Sequence, residues 1–399
     1  MQSNTARLLK EAEQIFTENI SPFWLSKMVD NEHGGFYGRI TGEGEIIPDA
    51  PKGAVLNARI LWTFAAAYRI FGKKSYLITA RRAKDYLLKY FYDNTDGGIY
   101  WMLDYTGKPL ETKKQIYALG FAIYGLSEYY RATSDNEALE CAKAIFFDIE
   151  KYSFDKQGNG YLEAFTENWQ PIADMRLSEK DENVEKTMNT HLHILESYTN
   201  LYRVWKNEQL KHQLQNLIEL FLDKIINRDN YHLNLFFDMN WTDKSEIISY
   251  GHDIEASWLL YEAAQVLGDE KIQNRVKELV PHIIRASLEG FQPDNNMIYE
   301  KEKNSGDEDR DRHWWVQAET VVGLLNHYQY YNDISSLDKA IACFDYIKDN
   351  LLDKQNGEWF WSIRSDGTVN RRDDKAGIWK CPYHNSRMCF EIMERFGQE

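Results

Sequence analysis

With 399 residues, 14% of them aromatic, the chain is too rich in packing groups to be disordered and too long for one ordinary core, so it is either several domains or one domain built from repeats. Its 47 Lys and Arg stand against 62 Asp and Glu, a formal net charge of −15 that repels phosphate backbones and anionic bilayers and sets aside nucleic acid and membrane surfaces as partners. Four cysteines (Cys141, Cys343, Cys381, Cys389) are too few for a disulfide framework, and no run of about 18 apolar residues could span a bilayer.

The opening stretch MQSNTARLLKEAEQIF is charged throughout and lacks the apolar core of a secretory leader, so a cytoplasmic location is expected, and the protein is expected to act as a monomer. It begins an unpaired helix from Asn4 to about Met28. The segment HGGFYGRI near 35 then reads as a short hairpin, Gly supplying the turn and alternating aromatics the strands. Next come an inner helix, GAVLNARILWTFAAAYRIFG, apolar nearly all round, a break at FGKKSYLITA near 72, and a second helix. The same order returns at DGGIYWML near 98, GNGYLEAF near 160, LNLFFDMN near 235, NNMIYEKE near 297 and NGEWFWSI near 358. The spacings are 63, 62, 75, 62 and 61, the mark of a repeated supersecondary unit. Second helices such as DNEALECAKAIFFDIEKY are charged on one face and belong outside, with Ser, Asp or Asn available to cap them. Six units give about twelve helices in two concentric rings, an all-α (α/α)6 barrel covering 1–399 as one domain, with short β-hairpins and loops at one end.

Each inner helix starts just after a hairpin, so the first turns open toward one end of the barrel. Arg59, Tyr117, Asn189 with His193, His252 with Glu255, Trp315, and His384 hold comparable places in units one to six and converge there. A few polar groups in an aromatic-lined pocket are what a small-molecule site contains. In SYGHDIEASWLL, His252 and Glu255 are three apart and share a helix face, so the carboxylate would fix the imidazole tautomer. That pair is either a capped core histidine or a general base; a metal site lacks the following histidine of HxxEH. His384 alone reads as structural, and with His252 as a second acid/base. Cys381, His384 and Cys389 lack a fourth metal ligand, so no metal is expected there. Arg59 is either half of an internal salt bridge or a stabiliser of negative charge on substrate oxygen. His191 and His193 cannot both face inward, and sharing a face with Asn189 selects His193. Trp314, Trp315 and Trp379 are either core or platforms for sugar rings. EKEKNSGDEDRDRH (300–313) is a solvated loop or a lid, with no role assigned to Arg310 or Arg312.

HGGFYG, VLNARILW, GGIYWMLD, ADMRLSEKD, KTMNTHLHILE, SYGHDIEASWLL, RHWWVQAE and WKCPYHNSRMC, in order over essentially the whole chain, resemble the cellobiose 2-epimerases of the N-acylglucosamine 2-epimerase superfamily. The resemblance implies an (α/α)6 barrel and a cofactor-free, metal-free epimerisation at C2 of the reducing-end glucose of β-1,4-linked disaccharides. By position it makes His252 and His384 the paired acid/base residues, Glu255 the support of His252, and Arg59 a contact to the reacting oxygens. Tyr117, Asp181, Asn189 and His193 would hold the open-chain sugar, with Trp315 and Trp379 stacking on its rings. The alternatives are an N-acylglucosamine 2-epimerase or a mannose aldose–ketose isomerase of the same superfamily, a non-catalytic sugar binder, and a glycoside hydrolase. The last needs two opposed carboxylates, and only Glu255 stands out as an inner one.

Overall fold

Capping and burial divide the helices into two kinds. In the computed structural model, which describes residues 2–397, the chain runs through α1 (Gln2–Gln14), α2 (Ser21–Ser26), α3 (Ala54–Phe71), α4 (Lys74–Tyr86), α5 (Ile116–Thr133), α6 (Asn136–Asp148), α7 (Met188–Val204), α8 (Glu208–Leu220), α9 (Tyr250–Leu267), α10 (Glu270–Ser287), α11 (Trp314–Tyr331), α12 (Ile334–Tyr346) and α13 (His384–Phe396). In α3 every side chain from Ala54 to Ala67 is buried, as an inner helix requires. In α10 the buried set Ile272, Val276, Leu279, Val280 and Ile283 is a single stripe, as on an outer one. Asp135, Asn207, Asp269 and Asp333 cap outer helices by accepting first-turn N–H groups. Gly72 and Gly268 end α3 and α9 in the left-handed conformation, at φ 66° and 78°.

The inner ring runs α3, α5, α7, α9, α11, α13 and closes from α13 onto α3. Five inner helices pack outward on the helix that follows them, whereas α13 packs on α1. The opening helix is therefore not unpaired, as the repeat suggested. The N-terminal helix α1 takes the place of the sixth outer helix, completing an (α/α)6 barrel. Among the described residues no helix is long and apolar enough to cross a membrane.

Short strands stitch neighbouring units together at one end. The strand before each inner helix pairs with the hairpin of the next unit: Lys52–Gly53 with Met102–Leu103, Lys114–Gln115 with Ala164–Phe165, Lys186–Thr187 with Phe236–Phe237, Ile247–Ser249 with Glu300–Glu302, and Arg312–His313 with Ser362–Ile363. A bridge from Ile40 to Ala376 closes the circle. Buried ion pairs repeat with the strands: Asp30–Lys52 at 2.7 Å, Asp93–Lys114 at 2.6 Å, Asp155–Lys186 at 2.8 Å, and Asp353–Lys375. In each, the Asp also accepts N–H groups of its own turn, so the pair fixes the hairpin against the strand leading into the inner helix. Removing one partner leaves a buried charge alone. Lys114→Met is therefore expected to lower stability by about 3–5 kcal/mol, and adding Asp93→Asn to recover part of it. Urea unfolding of the single and double variants checks this.

Candidate functional site

The inner helices present the same registers to the barrel axis. The sixth residues of α3, α5, α7, α9 and α11 are Arg59, Phe121, His193, Glu255 and Glu319; the second residues of α5, α7, α9 and α11 are Tyr117, Asn189, Gly251 and Trp315. These positions bring together residues more than 250 apart in sequence.

The two histidines meet against one indole. The His252 ring lies 4.8 Å from Trp315 and the His384 ring 5.5 Å from it. Gly251 permits this, because a Cβ there would stand 2.7 Å from the Trp315 ring. His252 Nδ1 is 2.8 Å from Ser249 Oγ. His384 Nδ1 donates to Glu319 Oε1 at 2.7 Å, with Glu255 Oε1 at 3.8 Å. Burial, reinforced by His193 and His384, pushes His252 down to about 3. Burial outweighs Glu319 and brings His384 to about 3 as well. Both imidazoles are neutral at neutral pH and free to act as bases.

Beneath them lies a buried network centred on Arg387. Its Nη2 donates to Glu255 Oε1 at 2.6 Å and to Glu319 Oε1 at 2.7 Å; its Nη1 donates to Glu196 Oε2 at 2.7 Å and to the Tyr383 hydroxyl. Glu196 also accepts from Tyr383 Oη at 2.5 Å and from His193 Nδ1 at 2.7 Å. Trp258 Nε1 donates to Glu319 Oε2 at 2.9 Å. One chain of charge-assisted bonds thus joins His193 to His384. Although burial opposes its charge, Arg387 and His384 hold Glu319 at about 2. Burial and the neighbouring Glu319 raise Glu255 well above the usual carboxylate range. Glu319 carries the charge and Glu255 favours the proton.

Glu255 does not support His252 as the helix spacing suggested. An ionic guanidinium is a stronger partner than a neutral imidazole, and Arg387 takes the carboxylate while Ser249, three residues before His252, takes Nδ1. Arg59 forms no ion pair among the described residues, which removes the internal salt-bridge alternative. Its Nη2 donates to the Tyr117 hydroxyl at 2.8 Å, its guanidinium lies over Phe121 and Tyr383, and its Nε is buried without a partner. His193 faces inward, edge-on to Tyr117 at 4.9 Å. Asn189 leaves Oδ1 buried and unpartnered, and Trp379 packs 6.0 Å from both Tyr117 and Trp101. Asp181 stands apart from the network on a loop, accepting from Ser178 N and Oγ. Trp314 is core, packed on Trp361 at 4.7 Å. The charged 300–313 segment is an ordered hairpin on the strand Ile247–Ser249, with Arg310 and Arg312 bonded within it and to neighbouring turns.

Glu255, Glu319 and His384 each offer a ligand atom within 4.8 Å of the others, but Arg387 already bridges the two carboxylates and supplies the countercharge. Cys381 turns to the Gly377 and Ile378 carbonyls, away from any shared centre with His384.

His191 points away: Nδ1 donates to Thr187 O at 2.6 Å and Nε2 accepts the Tyr161 N–H at 2.9 Å. Protonation would set two donors against each other, and burial lowers this imidazole to about 4. Because its folded value lies below the unfolded one, its contribution is full above about pH 6.5 and is lost as pH falls toward 4. The stability advantage of wild type over His191→Gln is expected to shrink between pH 7 and pH 4.5, by at most about 1.4 kcal/mol per pH unit. Urea unfolding at the two pH values reads it.

Glu319, Glu196, Arg387, Tyr383 and Ser249 escaped the sequence reading. Glu319 had a signal, its shared register with Arg59, His193 and Glu255.

The family model described as N-acylglucosamine 2-epimerase matches residues 35–387. A cellobiose 2-epimerase of Bacteroides fragilis is 58% identical over 386 residues, covering 97% of this chain and 98% of its own. One from Ruminococcus albus is 40% identical, covering 97% and 99%. The solved cellobiose 2-epimerase of Bacillus thermoamylovorans superposes with a TM-score of 0.94 at 40% identity, over 98% of this chain and 100% of that one. With this match across the barrel, the chain belongs to the N-acylglucosamine 2-epimerase family.

Proposed function

We propose that the protein is a cellobiose 2-epimerase, an isomerase that inverts C2 of the reducing-end glucose of β-1,4-linked disaccharides without cofactor or metal. Cellobiose becomes glucosyl-mannose and lactose becomes epilactose. The observation that carries the reading is the placement of two neutral imidazoles, His252 and His384, against the same Trp315 indole. The full-length similarity to cellobiose 2-epimerases selects the substrate class.

The hydrogen on C2 is acidic only when C1 is a free carbonyl, so the pyranose ring opens first, with a proton delivered to the ring oxygen and one taken from the C1 hydroxyl. His384, backed by Glu319, suits that step. One imidazole then removes the C2 proton, and the electron pair moves into a cis-enediolate. Arg59, a cation with no carboxylate partner and an unpartnered Nε, offsets the charge that develops on oxygen. The other imidazole, having taken up a proton from solvent at Nε2, delivers it to the opposite face, and ring closure completes the inversion. A lone base would mostly return the proton to the face it came from. Tyr117, Asn189, His193 and Asp181 hold the open-chain sugar, and Trp315 and Trp379 carry its ring faces. One chain supplies every group named, so a single catalytic domain acting alone suffices for the reaction.

The test is reaction of wild type with cellobiose in deuterated water, reading deuterium at C2 of both epimers, beside parallel incubations with mannose and N-acetylglucosamine. Glucosyl-mannose labelled at C2 supports the assignment. Fructose from mannose with no disaccharide product, or glucose released from cellobiose, overturns it.

A further inference from the structure

We infer that Ser249 is a positioning residue for His252, its hydroxyl holding Nδ1 so that Nε2 is the nitrogen presented to the substrate; this rests on the two-histidine reading above. Ser249 ends the strand Ile247–Ser249, occupies the N-cap of α9 and is 1% exposed. A serine in that place ordinarily accepts an N–H of the first turn, as Thr187 does in α7 by accepting from Thr190. Ser249 caps no N–H of α9. Its hydroxyl goes to His252 Nδ1 at 2.8 Å instead. Pairing of Ser249 with Glu300 across the strands fixes its backbone, and Trp315 packs on the imidazole it serves. With Nδ1 engaged, Nε2 is the nitrogen left for a substrate.

The two imidazoles are consequently held by different chemistry. Ionised Glu319 only accepts, so it fixes neutral His384 with the proton on Nδ1 and a bare Nε2. A hydroxyl both donates and accepts. Ser249 accepts from Nδ1–H while Nε2 is bare, still accepts it in the imidazolium formed when Nε2 takes the C2 proton, and can donate to Nδ1 once that nitrogen is bare. It holds the ring in each of these states without adding a charge to a site that already contains Arg59, Arg387 and Glu319.

Because this hydroxyl satisfies no helix N–H, Ser249→Ala is expected to fold, and Ser249→Thr keeps the hydroxyl on a strand that tolerates a β-branched residue. The measurements are kcat and KM with cellobiose, and imidazole 15N shifts in 15N-histidine protein, with His252 assigned by its loss in His252→Asn. Ser249→Ala is expected to lower kcat about tenfold to a hundredfold with KM unchanged, and to change the His252 imidazole 15N shifts as Nδ1 loses its partner. Ser249→Thr should restore both. Wild-type kcat in Ser249→Ala, an unchanged 15N pattern, or a Ser249→Thr variant as slow as the alanine one overturns the inference. If His252→Ala is inactive while Ser249→Ala is not, this inference alone fails; full activity in His252→Ala overturns the two-histidine reading itself.

Discussion

His252→Ala and His384→Ala are each expected to lower interconversion of cellobiose and glucosyl-mannose by about 10²–10⁴, the range that a positioned acid/base contributes. The expectation follows from geometry more than residue type. The imidazoles share Trp315 as a wall and are anchored on different helices, α9 and α13, so each is expected to meet a different face of a substrate lodged there. Loss of either face leaves the intermediate with one proton donor. A surviving imidazole could still exchange the C2 hydrogen of one epimer with solvent while inverting nothing. Deuterium at C2 of recovered cellobiose, without glucosyl-mannose, would therefore mark the remaining histidine as the base on the glucose side. Full epimerisation in either variant would refute the paired roles. The expected loss should appear in kcat; because His384 is buried at 7% exposure, urea unfolding of each variant beside the assay checks that the barrel is retained.

Much of this arrangement can be read along the chain, because a repeat turns three-dimensional convergence into one-dimensional register. The period of the hairpins predicts the barrel, and Asn189 with His193, four apart on one helix, separates the inward histidine from the outward His191. What escapes is whatever depends on contacts between units. Glu255 is three residues from His252, yet its partner is Arg387, 132 residues away. Arg387 looks like an ordinary charged position on a helix with an amphipathic pattern, and nothing local signals that carboxylates from α7, α9 and α11 bury it. Ser249 resembles a routine helix cap. The pairing of α1 with α13 is likewise a property of ring closure, invisible in either segment alone.

Arg387→Met is expected to have the largest effect on stability. The guanidinium is 1% exposed and is shared by Glu196, Glu255 and Glu319, so its removal leaves like charges confined together in a dry interior. Breaking a buried pair costs about 3–5 kcal/mol, and here one change strips the cation from two ionised carboxylates, Glu196 and Glu319, and a hydrogen-bond donor from Glu255. Activity should fall with it: without the cation, Glu319 no longer stays near 2, takes up a proton at higher pH, and ceases to be a fixed acceptor for His384 Nδ1. Arg387→Lys keeps one charge but not the fork that serves three carboxylates, and should recover stability only in part. The charge assignment within the pair makes a sharper test. Glu255 already favours the proton, so Glu255→Gln should change stability at pH 7 by under about 1 kcal/mol. Glu319→Gln removes the ionised member, places an amide against His384, and should cost about 2–5 kcal/mol together with most of the epimerisation. Urea unfolding of the four variants, with epimerisation rates beside it, decides the matter: equal costs for Glu255→Gln and Glu319→Gln would mean that the charge is shared evenly, and that Arg387 does not choose between them.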